Sequence, residues 1–197
     1  MAREYAWLTP QRQDHFSPAS SNLTVRLLPI LFLKLVSEGL VLCSLDIGDA
    51  YYLTVDQKVP TVVNYTDMDG NRIEFALGKV LPGQRDGALL WNETITGSLL
   101  KELDISCCEA YPALVRSSCG SCMMLLHVYD IFCLCTQKYR DMVLQPALQS
   151  KYKVSIEIMR CPGHELTFLK RRRYMADEAS MLIESHPKHI EHVLDLL

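Results

Sequence analysis

Aspartates follow two apolar segments of the sequence, at positions where carboxylates could bind a divalent metal. Asp46 follows the apolar run 40–45 and opens the segment 46–51 (Asp-Ile-Gly-Asp-Ala-Tyr), and Asp130 ends the segment 127–130 (His-Val-Tyr-Asp) after a second apolar run. Mg²⁺ prefers hard oxygen ligands, usually carboxylates. Adjacent strand ends would hold two carboxylates rigidly side by side. The pattern predicts a metal site containing Asp46 and Asp130, although Asp46 alone could also be a cap or turn residue.

The elements around the first aspartate are predicted from periodicity and turn chemistry. Ser20–Asn22 supply a helix N-cap, and the apolar stretch that follows predicts a helix kinked or broken at Pro29. The short apolar run 40–45 is typical of a buried strand. Asp, Gly and Asn at 67–71 predict a turn. The resulting elements are a helix over 23–36, strands over 40–45, 59–65 and 72–77, and a helix over 86–103.

The second half of the chain is richer in strands. We expect 113–116 and 123–135 to be the two strands of a hairpin. Patchy apolar spacing predicts a helix over 137–151, and alternation predicts a half-buried strand over 154–158. Further predictions are strands over 166–175 and 180–184 and a helix beginning near residue 186.

Composition is that of an ordinary globular chain and gives no general attraction to nucleic acid. Of the 197 residues, 49% are hydrophobic and 22% charged, and the net charge is −3. A nucleic-acid partner would need a local basic patch, and the clearest is Lys170–Arg173. The same run fits a solvated strand edge equally well. We expect no membrane span and no signal peptide, hence an intracellular protein, cytoplasmic or nuclear.

The eight cysteines are predicted to be free thiols rather than disulfides. Cys119 and Cys122 have zinc-knuckle spacing, but a structural zinc needs four ligands. The nearest further cysteines, Cys107 and Cys108, are adjacent and rarely point at one metal. Gly-Ser between Cys119 and Cys122 is typical of a tight turn joining two strands. The sequence therefore predicts a turn here, and a purified chain without stoichiometric zinc.

Several segments together resemble one family. The segment 46–51 is similar to the first palm motif of reverse transcriptases, and 125–131 (Leu-Leu-His-Val-Tyr-Asp-Ile) resembles a degraded Tyr-x-Asp-Asp motif. The segment 79–87 (Lys-Val-Leu-Pro-Gly-Gln-Arg-Asp-Gly), with Trp91 following, resembles the Lys-Ala-Leu-Tyr-Gly-Leu-Lys-Gln-Ala…Trp motif of copia-type retrotransposons. Further similarities lie in the segments 16–28, 168–169 and 186–191. The motifs follow the family's order over nearly the whole chain.

The resemblance implies a fold, an activity and roles for individual residues. The fold would be α+β, a polymerase palm-type antiparallel sheet with packed helices plus a partial fingers subdomain. The activity would be RNA-directed DNA polymerisation with Mg²⁺ or Mn²⁺, a deoxynucleoside triphosphate and a template–primer. Asp46 and Asp130 would be catalytic metal ligands, and Tyr51 a steric gate against a ribose 2′-hydroxyl. Nucleotide contacts would come from Asp49, Ala50, Tyr51, Gly83, Gln84 and Arg85, and nucleic-acid contacts from Lys79, Lys170, Arg171 and Arg172.

One departure from the family pattern affects the activity. Tyr129 stands where the family has the first hairpin aspartate, a direct metal ligand. A phenol has a pKa near 10 and is a poor Mg²⁺ ligand at pH 7. We therefore expect this copy to be catalytically inactive and to bind the metal weakly or not at all.

Domain boundaries and alternative functions follow from the same comparison. The whole chain, 1–197, is predicted to be one reverse transcriptase domain fragment. Its fingers-like parts are 1–40 and 58–85, its palm parts 41–57 and 86–175, and the start of the thumb or connection 176–197. The alternatives are a domesticated nucleic-acid-binding or protein-interaction module built on a palm fold, and a residual enzyme holding one metal with Asp46, Asp49 and Asp130.

Overall fold

The computed structural model describes residues 20–48, 55–81, 84 and 87–184. The chain divides into two units, residues 1–17 with 49–97 and residues 18–48 with 98–197. The helices are α1 Asn22–Leu35, α2 Gly87–Leu103 and α3, residues 137–149. The strands are β1 Leu40–Gly48, β2 Asp56–Thr66, β3 Arg72–Lys79, β4 Ile105–Cys107, β5 Leu114–Ser117, β6 Cys122–His127, β7 Asp130–Thr136, β8 Lys153–Met159, β9 Glu165–Phe168, β10 Arg171–Met175 and β11 Met181–Ile183.

The second unit is built on a six-stranded antiparallel sheet in the order β4-β5-β6-β7-β1-β8. Its central strands are almost entirely buried because they are covered on both faces. This explains why β1 and β7 are continuous apolar runs rather than alternating ones. A three-stranded sheet, β11-β10-β9, belongs to the same unit. The antiparallel sheets and helices agree with the predicted α+β class.

The helix α1 covers one face of the main sheet. Ser21 is its N-cap and forms a capping box with Thr24, which confirms the predicted helix start. Pro29 lies inside the helix, which runs on to Leu35 without a break. Leu28 and Phe32 are fully buried and pack with the sheet's apolar core, so burial compensates for the hydrogen bond that Pro29 cannot donate.

The smaller sheet extends that core. Phe168 of β9 stacks on Phe132 of β7, with ring centroids 4.6 Å apart, and the Ser44 hydroxyl donates to the Thr167 carbonyl at 2.6 Å. Arg173 of β10 is buried, and its guanidinium lies 5.0 Å from the centroid of Phe132. The ring contacts and the hydrogen bond together fix β9 against β1 and β7.

The helix α3 lies on the opposite face of the main sheet. Its middle, Arg140–Leu144, is π-helical. Thr136 caps its first turn by accepting from the Tyr139 N–H at 3.2 Å, and the Tyr139 hydroxyl donates to the Leu103 carbonyl at 3.1 Å. Tyr139, Arg140 and Leu144 are buried, so α3 closes the second half of the core.

In the first unit, β2 and β3 form an antiparallel hairpin. Asp67 accepts hydrogen bonds from the backbone N–H groups of Asp69 and Asn71, and Gly70 adopts a φ of 86° that favours glycine. The predicted turn at 67–71 is thereby confirmed. The predicted turn between Cys119 and Cys122 is also confirmed, because residues 118–121 connect β5 to β6.

Two predicted strands are in fact hairpins. The segment 123–135 is divided into β6 and β7 by a turn at Val128 and Tyr129, and 166–175 is divided into β9 and β10 by a turn at Leu169 and Lys170. Val128, Leu169 and Lys170 have φ values of 53°, 51° and 59°. These left-handed conformations usually indicate Gly or Asn, so local patterns contained no signal for either turn, and only the resemblance implied a hairpin at Tyr129.

No helix within the described ranges is long and apolar enough to cross a membrane. All eight cysteines are free thiols, which confirms the prediction of no disulfides. The predicted boundaries of fingers and palm stay predictions, and the predicted thumb segment from residue 185 onward lies outside the described residues.

Candidate functional site

Neighbouring strands bring four polar side chains to one face of the main sheet. Asp46 of β1 lies directly opposite Asp130 of β7. On its other side Asp46 pairs with Ser155 of β8, while Asp130 pairs with His127 across the β6–β7 hairpin. Paired residues of antiparallel strands point to the same face of a sheet. The four side chains therefore share the face that α1 covers further along.

Asp46 and Asp130 occupy a close pair of the antiparallel ladder. The Ile47 N–H donates to the Tyr129 carbonyl at 3.1 Å. The pair of Ile47 and Tyr129, next to Asp46 and Asp130, is therefore of the hydrogen-bonded type. Because the two types alternate, Asp46 and Asp130 form a non-hydrogen-bonded pair, with Cα atoms about 4.5 Å apart. The expected placement on adjacent strands is confirmed. Their role as metal ligands stays a prediction.

The electrostatics of the pair favour a bound cation. Burial, and next the negative charge of Asp46, raise the pKa of the Asp130 carboxyl, while His127 lowers it by a smaller amount. Two carboxylates at this separation repel each other unless a proton or a cation lies between them. The arrangement can therefore hold one hard divalent cation, and it favours a proton on Asp130 when no cation is bound.

The turn beside the pair is strained and places Tyr129 in the cleft. Val128 is β-branched and has a φ of 53°, a conformation that such residues rarely adopt. Tyr129 follows it, is 44% exposed and lines the same cleft as Asp46 and Asp130. The bond from Ile47 N–H fixes the Tyr129 backbone against β1. A phenol thus stands next to the carboxylate pair.

The cleft has a volume of about 660 Å³ and includes groups that the sequence did not identify as site residues. Glu157 of β8 is the main one, and one of its oxygens accepts from the Thr167 N–H. His127 is the second, and its Nδ1 lies 2.6 Å from the Ser20 hydroxyl oxygen. Alternation in β8 put Glu157 on the polar side of the strand, but nothing in the sequence indicated which strand β8 would neighbour.

The basic run Lys170–Arg173 is divided by the structure. Lys170 lines the cleft and Arg171 is exposed. Arg172 donates from Nε to the Glu165 carboxylate at 2.8 Å and lies 3.6 Å from Glu184. Arg173 is buried, and burial is the main reason that its pKa falls to about 10. Lys170 and Arg171 thus remain the members available for a phosphate.

The other predicted contacts lie in the first unit or outside the described residues. Lys79 forms an ion pair with the exposed Asp56 at 2.6 Å. The side-chain oxygen of Gln84 accepts from the Leu81 N–H, which places Gln84 in a local turn. Asp49, Ala50, Tyr51, Gly83 and Arg85 lie outside the described residues.

Comparison with known proteins gives a likeness of fold. No protein-family model and no curated protein matches this chain. Among solved structures, an apo telomerase from Candida tropicalis, truncated from the C-terminal domain, matches with a TM-score of 0.53 and 11% sequence identity. The match covers 85% of this chain and 41% of that chain. The chain therefore shares its fold with part of a telomerase.

Proposed function

We propose that this chain is a reverse transcriptase-like domain of the copia type that keeps the polymerase cleft and has lost nucleotidyl transfer. The observation that supports it most is the close pairing of Asp46 with Asp130 beside a turn that contains Tyr129. The likeness to a telomerase supports the polymerase-like part of the proposal. The copia type rests on the motifs at 46–51, 79–87 and 125–131.

The described residues fit one divalent cation, Mg²⁺ or Mn²⁺. Asp46 and Asp130 would hold it, because they offer hard oxygen ligands whose mutual repulsion a cation relieves. Glu157 lies on the same face, opposite Ser44. In a polymerase, a pair of such ions activates the primer 3′-hydroxyl and stabilises the leaving oxygen.

Tyr129 accounts for the proposed loss of activity. Two-metal catalysis needs carboxylates on both ions, and here the turn offers a neutral phenol instead. Its ring also takes space in the cleft that a second ion and the triphosphate would need. The residual role of the cleft would be to bind a template–primer, with Lys170 at its edge contacting a phosphate.

A domesticated nucleic-acid-binding or protein-interaction module is the second candidate. Exposure of Arg171 next to Lys170 favours it. The pairing of Arg172 and the burial of Arg173 weaken it, since they leave a smaller cationic surface than the sequence suggested. A salt-sensitive affinity for nucleic acid that is unaffected by changes at Asp46 and Asp130 would favour this candidate.

Primer extension tests the proposal. On an RNA template with either Mg²⁺ or Mn²⁺ we expect no extension, and we expect a labelled template–primer to bind with an affinity that falls as salt rises. The control is Asp46→Asn, which removes a carboxylate without changing size. Extension by the parent that disappears in Asp46→Asn would refute the proposed inactivity. Absence of any template–primer binding would contradict the retained cleft.

A further inference from the structure

Four cysteines meet on the face of the main sheet that α3 covers. Cys133 and Cys135 are two residues apart on β7, so their side chains point to the same face. Cys43 of β1 is paired with Cys133, and Cys122 of β6 is paired with Cys135. All four are buried, none more than 3% exposed. They lie on the opposite face from Asp46 and Asp130.

The spacing of the sulfur atoms suits a metal. The Sγ atoms of Cys122, Cys133 and Cys135 all lie within 4.8 Å of one another, and those of Cys122 and Cys133 are 3.4 Å apart. A tetrahedral zinc with Zn–S bonds of about 2.3 Å needs sulfur atoms about 3.8 Å apart. Cys43 is outside this group of three, but it is paired with Cys133 on the neighbouring strand and its side chain shares their face.

A buried guanidinium lies beside the cluster. Arg140 is 6% exposed, lies close to Cys43, and pairs through Nη2 with Asp141. Its Nη1 has no hydrogen-bond partner among the described residues. A buried donor without a partner is costly, and a metal-bound thiolate would satisfy it.

We propose that Cys122, Cys133 and Cys135 form a structural binding site for one thiophilic cation, foremost Zn²⁺, and that Cys43 moves in as the fourth ligand when the cation binds. Thiolates select soft or borderline cations over Mg²⁺. Binding replaces the protons of the thiols with metal–sulfur bonds, and each thiol that becomes a ligand releases one proton. The Arg140 guanidinium offsets part of the negative charge of the resulting cluster.

This site differs from the zinc knuckle that the spacing of Cys119 and Cys122 suggested and that the sequence analysis rejected. Cys119 is exposed, and the turn at 118–121 separates it from the buried thiol of Cys122. The expectation of a zinc-free chain considered Cys119 and Cys122 with Cys107 and Cys108 as their only partners. It did not foresee that Cys43 and Cys133 would come from neighbouring strands.

Metal analysis of the full chain tests the proposal. The chain is produced under reducing conditions with zinc in the medium, and zinc and protein are measured in the same sample. We expect stoichiometric zinc in the parent and in Cys119→Ser, and loss of most of it in Cys135→Ser. Cys119→Ser is the matched control, because it removes an exposed thiol that a zinc knuckle would require.

A second measurement covers the case in which Cys135→Ser does not fold. The parent is stripped with a chelator under reducing conditions and titrated with Co²⁺, which should give sulfur-to-cobalt charge-transfer absorption and the visible bands of a tetrahedral thiolate site. Zn²⁺ should then displace Co²⁺ and remove the colour. A folded parent that holds no zinc and gives no such spectrum overturns the proposal. So does zinc lost from Cys119→Ser but kept by Cys135→Ser, or a Cys122–Cys133 disulfide formed in place of metal binding.

Discussion

The change Tyr129→Asp should create a divalent-metal site stronger than that of the parent. Tyr129 is 44% exposed and lines the cleft with Asp46 and Asp130, so an aspartate there can face the pair without being buried. Unit charges 4 Å apart repel by about 1 kcal/mol in water and about 4 kcal/mol at an effective dielectric constant of 20. Without metal, the variant should therefore be less stable than the parent.

A bound metal ion turns the added carboxylate from a destabilising group into a stabilising one. A divalent cation about 4 Å from the added carboxylate gains about 2 kcal/mol, even at the dielectric constant of water. At about 1.4 kcal/mol for each factor of ten, this is roughly a thirtyfold lower dissociation constant. For a chain of this size, 1 kcal/mol shifts the melting temperature by about 2–4 °C. Saturating metal should raise the melting temperature of the variant by about 4–8 °C more than that of the parent.

Thermal melts and calorimetric titrations with Mg²⁺ and Mn²⁺ measure this difference. The matched control is Tyr129→Asn, which removes the same ring and adds a side chain of aspartate's size without the charge. It should respond to metal as the parent does. Equal responses of Tyr129→Asp and Tyr129→Asn would refute the placement of residue 129 at a metal site. Recovery of polymerase activity is not required, because two-metal catalysis also needs a correctly gripped primer and template.

Three further predictions concern charge, packing and nucleic acid. Asp130→Asn should raise the melting temperature at pH 7 without metal. The folded-state pKa of Asp130 lies above its unfolded value, so its ionisation costs stability increasingly as pH rises through the folded pKa; a melting temperature below the parent's at pH 7 would contradict this. Phe168→Ala removes the ring stacked on Phe132 and should lower the free energy of unfolding by about 3–5 kcal/mol in urea titrations, whereas a loss under about 1 kcal/mol would mean that the two sheets do not share a core. Arg171→Ala should weaken binding of single-stranded RNA and reduce the salt dependence of that binding. Arg172→Ala should change the affinity and its salt dependence less, because Arg172 is paired with Glu165. A larger effect of Arg172→Ala than of Arg171→Ala in salt titrations would contradict this.

The elements that the sequence predicted well are those with local signals. The start of α1 follows from Ser21 and Thr24, and the β2–β3 turn from Asp67 and Gly70. Side chains near in sequence decide these features. Local patterns predicted one strand over 123–135 and gave no turn at Val128, because a β-branched residue takes a φ that such patterns assign to Gly or Asn; only the family resemblance implied a hairpin there. There the packing of long-range neighbours overrides local preference.

The candidate site was predictable only where its parts lie in recognisable motifs. Asp46 and Asp130 were identified from the segments around them, and the structure pairs them. Glu157 and the cysteine cluster depend on which strands become neighbours. The position of β8 beside β1 joins residues more than a hundred positions apart, and no alternation within one strand contains that information.

The fold can persist without the activity because different residues determine the two. The register of β1 against β7 is fixed by burial on both faces, with Leu42 and Phe132 toward α1 and Cys43 and Cys133 toward α3. A slip of one residue would exchange these faces and bring Asp46 toward the α3 side of the core. A change at residue 129 leaves that burial intact, since the side chain lies in a turn and is 44% exposed. The exchange of a metal ligand for Tyr129, as proposed above, would therefore cost the fold little, so a fold shared with part of a telomerase is not by itself an argument for catalysis.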